Sequence, residues 1–304
     1  MKFGHVHDIS NVDWRLPPLD PRSLATLRLH RDSVGRRPLA VHVGCPVWTA
    51  QTWVGGLFPA GVSRNDFLAT YARGLNTVEL NASFYAVPAA ESIARWRRSV
   101  PEGFQFCPKV PQSISRDVAR GRVNRRVTRE FVEAIRGLGP TLGPVFLQLP
   151  PGVGLAQMVP LRELLDEFAA FDLKLSLEVR NPELLPDGRL LPELAELLVD
   201  AAMATVITDT AGERRMVHSS LTFPRVMIRF AGNHPDPTDM ERLASWVDRI
   251  ALWSEAGLET LHFMIHQTEE RGGPELCRTF SGMLNARLGL DLPLWEPEGQ
   301  LSLF

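Results

Sequence analysis

The sequence predicts a single-domain α/β fold, a (β/α)8 barrel of the TIM type with an N-terminal arm and a short C-terminal tail. The chain has 304 residues, of which 44% are hydrophobic, and this is enough for one large core. From Leu39 onward, short β-rich runs alternate with longer amphipathic stretches, and there are eight such runs. Eight strands alternating with helices favour a closed barrel, with a doubly wound open sheet as the alternative.

The β-rich runs define the predicted strands in chain order. They cover residues 39–44, 77–81, 104–109, 145–150, 174–180, 204–209, 225–230 and 260–267. Helical patterns lie between them, near 63–74, 89–99, 124–138, 158–171, 190–202, 238–256 and 273–288. Residues 210–224 indicate only a short helix. We therefore expect an arm over residues 1–37 with a short helix near 22–30, a barrel over 38–290 and a flexible tail over 291–304.

Charge and composition exclude several classes of protein. The balance of 33 basic against 35 acidic residues does not fit a polycationic nucleic-acid coat. No apolar run approaches the roughly 20 residues that a membrane-spanning helix needs. The three cysteines are odd in number and form no CxxC pair, which argues against a disulfide framework or a structural zinc site. These features predict a cytoplasmic protein without a membrane partner.

Strand parity places a ring of polar residues inside the barrel. Alternate residues of a barrel strand face the interior, so Glu79, Lys109, Glu178 and Arg180 are expected to point inward. The same reasoning adds a further group: Asn81, Gln148, Asp209, Arg229, His266 and, on the first strand, His42. Most of these residues come near the carboxyl ends of their strands, where barrel enzymes build their sites.

This ring contains the chemistry of an active site. The carboxylates of Glu79, Glu178 and Asp209, with His266 and His42, suit a divalent metal or general acid–base catalysis, although no motif fixes a metal or another cofactor. The cationic residues suit a phosphate or carboxylate on the ligand; they are Lys109, Arg180 and Arg229. The alternative is a self-satisfied network, for instance Glu79 with Lys109 and Glu178 with Arg180, that only closes the barrel.

Several ordered motifs resemble one known family. They are Val43-Gly44-Cys45-Pro46-Val47-Trp48, Trp53-Val54-Gly55, Asn76-Thr77-Val78-Glu79-Leu80-Asn81 with Phe84-Tyr85, Phe106-Cys107-Pro108-Lys109, Gln148-Leu149-Pro150-Pro151 and Leu177-Glu178-Val179-Arg180-Asn181-Pro182. Over about residues 39–288 the chain is similar to the YecE-like family, domain of unknown function family 72. The resemblance implies a TIM-type barrel and no established reaction.

The resemblance also marks positions for the candidate site. The motif positions are Glu79, Asn81, Tyr85, Lys109, Gln148, Glu178 and Arg180. This sequence departs from the family pattern at His266-Gln267, where many members have an asparagine pair, and at Cys45-Pro46. Trp48, on the first loop after a strand, is the expected stacking surface for a ring-shaped ligand.

Two further segments suggest partners. The last five residues resemble the peptide by which bacterial replication and repair proteins bind the DNA sliding clamp, with Leu301, Leu303 and Phe304 as apolar anchors and Gln300 as a hydrogen-bonding residue. The alternative is a tail that folds back over the barrel bottom. An arginine-rich stretch over residues 116–129 could follow a phosphate backbone or form an ordinary solvated surface.

The sequence leaves three functional hypotheses. The first is an endonuclease-like hydrolase acting on a phosphate-bearing substrate, most interestingly DNA, with Glu79, Lys109, Glu178 and Asp209 as catalytic residues. The second is an isomerase or lyase for a small sugar or sugar acid. The third is a non-catalytic adaptor whose polar ring is structural.

Overall fold

The structure is a computed structural model that describes residue 6, residues 8–233 and 238–267, residue 270 and residues 272–296. The predicted tail peptide, Gln300 to Phe304, therefore lies outside the described residues, as do His5 and His7 of the metal-like sequence pattern His5-x-His7-Asp8. No helix within the described ranges is both long enough and apolar enough to cross a membrane.

Eight parallel strands form one sheet. They are β1 Ala40–Cys45, β2 Thr77–Leu80, β3 Gln105–Pro108, β4 Val145–Gln148, β5 Leu175–Glu178, β6 Ala204–Asp209, β7 Arg225–Ala231 and β8 Thr260–His266. The hydrogen-bonded order is β3-β2-β1-β8-β7-β6-β5-β4, and the bridges Phe106 to Leu142 and Lys109 to Phe146 bring β3 and β4 together. The TIM-type barrel is confirmed, and the open-sheet alternative is wrong because the two end strands meet.

Ten α-helices surround the sheet or precede it in the described residues. They are α1 Pro21–Val34, α2 Phe67–Gly74, α3 Ala82–Tyr85, α4 Ala90–Arg98, α5 Gln112–Ala119, α6 Arg125–Arg136, α7 Met158–Ala169, α8 Pro192–Asp200, α9 Thr238–Ala256 and α10 Gly273–Leu288. The sequence patterns indicated each helix between consecutive strands except the short α3 and α5. Residues 210–224 contain the short 3-10 helix Ala211–Met216, as expected.

Local sequence explains where typical helices begin and which face they bury. The Asn124 side chain accepts a hydrogen bond from the Val127 amide at 3.3 Å and caps α6. Three residues at helical spacing on α6, Phe131, Val132 and Ile135, are fully buried against the sheet. At α1, the Asp20 carboxylate accepts from the Arg22 amide, and Pro21 supplies the preset backbone angle that suits a first helical position.

The barrel interior has three layers. The middle one, the apolar layer, consists of Cys107, Phe146, Val206, Met227 and Met264. Above it, at the carboxyl ends of the strands, lies the mouth layer: Glu79, Lys109, Gln148, Glu178, Thr208, Arg229 and His266. Below it, at the amino ends, lie His42, Gln105, Arg225 and His262. The apolar layer thus separates two groups of polar side chains.

The arm runs along the outside of the barrel from one end to the other. Near the mouth, the Val6 amide donates to Asn233 Oδ1 at 3.1 Å, just after β7. Near the amino ends of the strands, the Ser220 hydroxyl donates to Asp20 Oδ2 at 2.7 Å. Helix α1 then buries Leu27 completely in the outer core. The predicted helix of the arm is therefore present and longer than the pattern indicated.

Candidate active site at the barrel mouth

The centre of the mouth layer is a buried arginine between two buried glutamates. Arg229 donates to both oxygens of Glu79, from Nε and Nη2, at 2.9 Å each. Its third nitrogen donates to Glu178 at 2.9 Å and 3.2 Å. The exposed fraction of Arg229 is 2%, and both glutamates are fully buried. This arrangement satisfies the guanidinium on two sides and joins β2, β5 and β7 across the barrel.

The arginine keeps both carboxyl groups ionised. Burial by itself would raise their pKa, but the charge of Arg229 and the hydrogen bonds from His266 and Arg229 hold the pKa of Glu79 well below its usual range. The pKa of Glu178 falls to about 2 because the charges of Arg229 and Arg180 outweigh the same burial effect. Neither carboxylate is therefore a good proton acceptor near neutral pH, since a useful base has a pKa close to the working pH.

Three neighbouring side chains hydrogen-bond to Glu79 or Glu178. His266, at the end of β8, has its Nε2 3.0 Å from Glu79 Oε2. Arg180 donates from Nε to Glu178 Oε1 at 2.7 Å, as the sequence hypothesis of a structural network expected, and Thr208 donates to the same oxygen at 2.9 Å. Burial lowers the pKa of His266 despite the attraction of Glu79, so the neutral imidazole is favoured.

Lys109 occupies a different environment from the arginines. Its Nζ donates to Gln148 Oε1 at 2.8 Å and lies 4.2 Å from the centre of the Phe84 ring. Only 4% of Lys109 is exposed, and no ion pair within the described part of the chain includes it. Burial and the nearby charge of Arg229 lower its pKa to about 8. The expected pairing of Lys109 with Glu79 is wrong, because Arg229 takes both oxygens of that carboxylate.

A small pocket opens beside Glu79 between the first two strand-to-helix loops. Its volume is about 190 Å³, and its lining includes Trp48, Glu79, Asn81 and Trp96. Asn81 donates to the Pro46 carbonyl at 3.1 Å, which holds the two loops together. The Trp48 ring packs edge-on against Trp96 at 5.8 Å between ring centres. Three residues that the sequence assigned to substrate binding or catalysis therefore share one pocket.

Asp209 does not belong to the mouth layer, and its predicted inward direction is wrong. In the register between β6 and β7, Thr208 stands beside the inward Arg229, so Asp209 faces the helices. Its carboxylate accepts from Arg242 at 2.7 Å, from the Trp246 indole at 2.7 Å and from Arg214. Since Arg214 also donates to the Asp13 carbonyl, Asp209 helps to hold the arm on the barrel.

His42 points inward as predicted, but it lies at the other end of the barrel. It is paired in register with His262, and the two imidazole rings stack with centres 4.5 Å apart. Both residues line a cavity at the amino ends of the strands. Because the apolar layer lies between, His42 cannot contact a ligand held by Glu79 and Glu178, so the prediction that it belongs to the mouth is wrong.

The remaining predicted residues have mixed surroundings. Tyr85 lies on the mouth side after β2, but 77% of it is exposed and its ring contacts Phe84 rather than the charged centre. The arginine-rich stretch is partly helical, since it begins within α5, and several of its members pair with acids: Arg122 with Asp117 at 2.9 Å, Arg125 with Glu167 at 3.3 Å and Arg126 with Glu130 at 2.6 Å. These pairs favour the interpretation as an ordinary surface.

Sequence reasoning missed three contributors to the mouth. Thr208 was not considered because Asp209 beside it carries the charge, while Phe84 and Phe146 are apolar and gave no polar signal. The expected metal set does not fit the geometry either. Within the described ranges, no three or more His, Cys, Asp or Glu side chains are grouped as metal ligands. Glu79 and Glu178 instead direct their oxygens at Arg229, which a cation would have to displace.

The fold and the mouth layer define a class, a TIM-type barrel with charged residues gathered at the carboxyl ends of its strands, the position at which barrel enzymes bind their substrates. The chain belongs to the family described as protein of unknown function DUF72, whose sequence profile matches residues 42–300. The predicted family resemblance is thereby confirmed.

Named relatives agree with this assignment. The UPF0759 protein YecE of Escherichia coli K12 is 28% identical over 257 residues, which cover 79% of this chain and 90% of YecE. The UPF0759 protein YunF of Bacillus subtilis 168 is 28% identical over 117 residues, or 36% of this chain and 40% of YunF. A crystal structure of a DUF72 family protein from Enterococcus faecalis V583 superposes with a TM-score of 0.63 at 18% identity, covering 83% of this chain and 96% of the other, and so shows the same fold.

Proposed function

We propose that the barrel mouth binds a small anionic substrate and transfers a proton on it, with Lys109 as the acid–base group. The observation that carries the proposal is the state of Lys109, a buried lysine whose side chain, among the described residues, hydrogen-bonds a neutral amide and faces an aromatic ring without forming an ion pair. A pKa of about 8 gives such a group useful populations of both protonation states near neutral pH. The sequence hypothesis of Glu79 or Glu178 as the base is less well supported, since both carboxylates remain ionised and form ion pairs with arginine.

The charge of the mouth favours an anion. Three cations, Lys109, Arg180 and Arg229, face two carboxylates, and His266 is neutral. Arg229 and Arg180 each pair with a glutamate, and Arg180 lies 2.7 Å from Glu178, so the positive charge that has no counter-charge among the described residues is that of Lys109. A carboxylate or phosphate of the substrate would find complementary charge there.

His266 supplies a second proton-transfer group. When the neutral ring donates from Nε2 to Glu79, its Nδ1 carries a lone pair and can accept a proton from substrate. The negative charge of Glu79 would then stabilise the imidazolium that forms. A pair of groups with separate environments is what isomerisation or β-elimination of a hydroxylated acid requires.

The small-molecule hypothesis is better supported than the endonuclease hypothesis. The pocket beside Glu79, whose lining does not include Lys109, Arg180 or His266, is about 190 Å³, less than a nucleotide extracted from duplex DNA needs. Much of the basic stretch is paired with acids rather than directed at the mouth. We therefore favour an isomerase or lyase acting on a sugar acid or sugar phosphate.

Proton exchange in deuterated water tests this function directly. A panel of sugar acids and sugar phosphates is incubated with the protein, and loss of the proton next to the carbonyl or carboxylate is followed by NMR. We expect exchange with at least one member of the panel and a loss of at least a hundredfold in Lys109→Met. Lys174→Met is the matched control, because Lys174 is exposed at the opposite end of the barrel.

The pH profile of that exchange identifies the acting group. With Lys109 as base, the rate should rise with pH and level off near pH 8, since burial places its pKa there. No exchange across the panel, together with cleavage of abasic-site DNA that Glu178→Gln abolishes, would favour the endonuclease hypothesis instead.

We also propose, from the sequence alone, that Gln300, Leu301, Leu303 and Phe304 bind the DNA sliding clamp. Its support is the peptide pattern and the exposure of Glu296, the last described residue before it. A synthetic peptide of residues 295–304 should bind purified clamp, and Phe304→Ala should weaken that binding at least tenfold. Equal binding of the two peptides would contradict the motif.

A further inference from the structure

A second cavity lies at the opposite end of the barrel from the mouth. Its volume is about 420 Å³, and its lining includes the first residues of four strands: Ala40, Gln105, Arg225 and Thr260. His42 and His262 line it as well, next to the apolar layer of the barrel. We call this space the lower cavity. Its wall includes His30 and, just after α1, Arg37, so the arm forms part of its rim.

The side chains of the lower cavity are polar where barrels of this type are usually apolar. The interior of a TIM barrel is ordinarily filled with branched aliphatic side chains, and the amino end serves stability. Here the same depth holds two stacked imidazoles and a glutamine, with Gln105 Oε1 2.7 Å from His262 Nε2. A buried polar group without a partner costs about 1–3 kcal/mol, so these polar side chains destabilise the fold unless a ligand forms hydrogen bonds with them.

Several of these polar groups lack partners in the described part of the chain. The Nδ1 atoms of His42 and His262 are buried and make no hydrogen bond, although His262 is only 1% exposed. Since Gln105 Oε1 can only accept, His262 Nε2 is its donor, and a neutral His262 ring therefore carries a bare lone pair on Nδ1. Arg225 Nε is likewise buried and unbonded.

The cavity also has an excess of positive charge. Arg225 makes no ion pair with any carboxylate in the described ranges and stacks on Phe223 at 4.6 Å. Lys174 and Arg37 add two further cations to the wall. The acidic residue of the lining, Glu259, is already shared between His30 at 3.2 Å and Arg37 at 3.5 Å.

We propose that the lower cavity is a binding site for a small phosphomonoester, held by Arg225 and Lys174 with its organic part against the His42–His262 pair. Two uncompensated cations match the charge of a phosphomonoester dianion, and a guanidinium fork suits its oxygens. His42 and His262, whose Nδ1 atoms make no hydrogen bond among the described residues, offer polar groups for the hydroxyl groups of the ligand. A volume of about 420 Å³ exceeds what a bare phosphate ion fills, which favours an organic phosphate.

This site is independent of the reaction proposed at the mouth. The apolar layer, with Met227 and Met264 among its members, stands between the two ends of the barrel. A ligand in the lower cavity thus contacts neither Lys109 nor His266. Binding there can succeed or fail whatever chemistry the mouth performs.

Imidazole NMR of the full-length protein tests the proposal at the site itself. Glycerol phosphate, inorganic phosphate and neutral glycerol are titrated separately while the ring signals of His42 and His262 are followed, assigned with His42→Gln and His262→Gln. We expect saturable shifts with glycerol phosphate, at least threefold weaker binding of inorganic phosphate and no shift with glycerol. Arg225→Gln should weaken binding of the ester at least tenfold, and Lys174→Gln at least threefold.

The choice of variants separates a loss of binding in the lower cavity from a failure to fold and from effects at the mouth. Lys174 is exposed, so Lys174→Gln should fold normally even if Arg225→Gln does not. Lys109→Met, at the mouth, should leave the titration of His42 and His262 unchanged. The proposal is overturned if neither phosphate shifts these two rings, if inorganic phosphate binds as tightly as the ester, or if Lys174→Gln leaves the affinity for the ester unchanged.

Discussion

The two ends of this barrel contain similar polar side chains, but these side chains differ in their electrostatic partners. At the mouth, Arg229 is fully enclosed by Glu79 and Glu178, so every charge at the centre has a counter-charge. At the lower end, Arg225 lies beside two neutral imidazoles and has no carboxylate partner among the residues described. The polarity of a layer is therefore a poor guide to its role, and the pairing of its groups is a better one.

The comparison separates a framework from binding groups. A charge that the protein itself neutralises holds strands together and is costly to remove, whereas a charge without a partner is available to a ligand. By this criterion Arg229 is part of the framework, Lys109 is the available group of the mouth, and Arg225 is the available group of the lower cavity. Three experiments test this distinction.

The largest expected effect comes from removing the buried arginine of the mouth. Arg229→Met should lower the free energy of unfolding by about 3–5 kcal/mol, because it leaves two buried carboxylates without a counter-charge. Arg225→Met is the matched control and should change it by less than about 1 kcal/mol, since no ion pair is lost. Urea denaturation measures both. Equal losses would mean that the two arginines do not differ as described.

A smaller effect is expected from acid at the lower end. Burial lowers the pKa of His42 to about 4 and holds the pKa of His262 well below its usual range. The unfolded chain therefore binds more protons than the folded one between about pH 6.5 and pH 4, and stability falls as the pH falls through that window. His42→Gln should reduce this loss by about 2 kcal/mol.

Denaturant midpoints at pH 7 and pH 5 check the acid effect. His30→Gln, at the rim of the same cavity, controls for the loss of a histidine and should keep the steep dependence. A His42→Gln variant as acid-sensitive as the parent would show that His42 is not held neutral in the fold.

The smallest effect is a gain in stability at the mouth. Because burial lowers the pKa of Lys109 to about 8, the folded state disfavours the charged lysine below that pH. Lys109→Met should therefore raise the free energy of unfolding by about 1–2 kcal/mol at pH 7. The gain should shrink as the pH rises from about 8 to 10.5, where the unfolded lysine also loses its proton. Lys174→Met should change stability by less than about 0.5 kcal/mol at either pH.

The strand pattern predicted more of the fold than of the site. Period-two alternation in β2, β5, β7 and β8 placed Glu79, Glu178, Arg229 and His266 inside, and all four meet in the mouth layer. The rule failed in β6, where all six residues are buried and polar residues occupy both faces. Thr208 and Asp209 cannot be ranked from sequence there. The partners of Asp209, Arg242 and Trp246, come from α9, far along the chain.

The strand pattern also could not predict where along the barrel axis an inward-facing side chain lies. His42 faces inward as its parity requires, yet its partner in register is His262, at the lower end. A signal for the lower cavity was nonetheless present, because Lys174 and Arg225 are the first residues and Gln105 the second residue of their predicted strands. It was overlooked because sites are expected at the other end of such barrels.

Three properties follow from the amino-acid sequence alone: the order of strands and helices, the side of most strands that each residue occupies, and the family. These properties are local, since the alternation of a strand and the amphipathic period of a helix involve neighbours in the chain. The tertiary structure was needed to show which charged side chains form ion pairs with each other. The reason is that packing between residues 50 or more positions apart sets the strand positions from which Arg229 reaches its two glutamates. Arg225, on the same strand, reaches no carboxylate in the part of the chain that the structure describes.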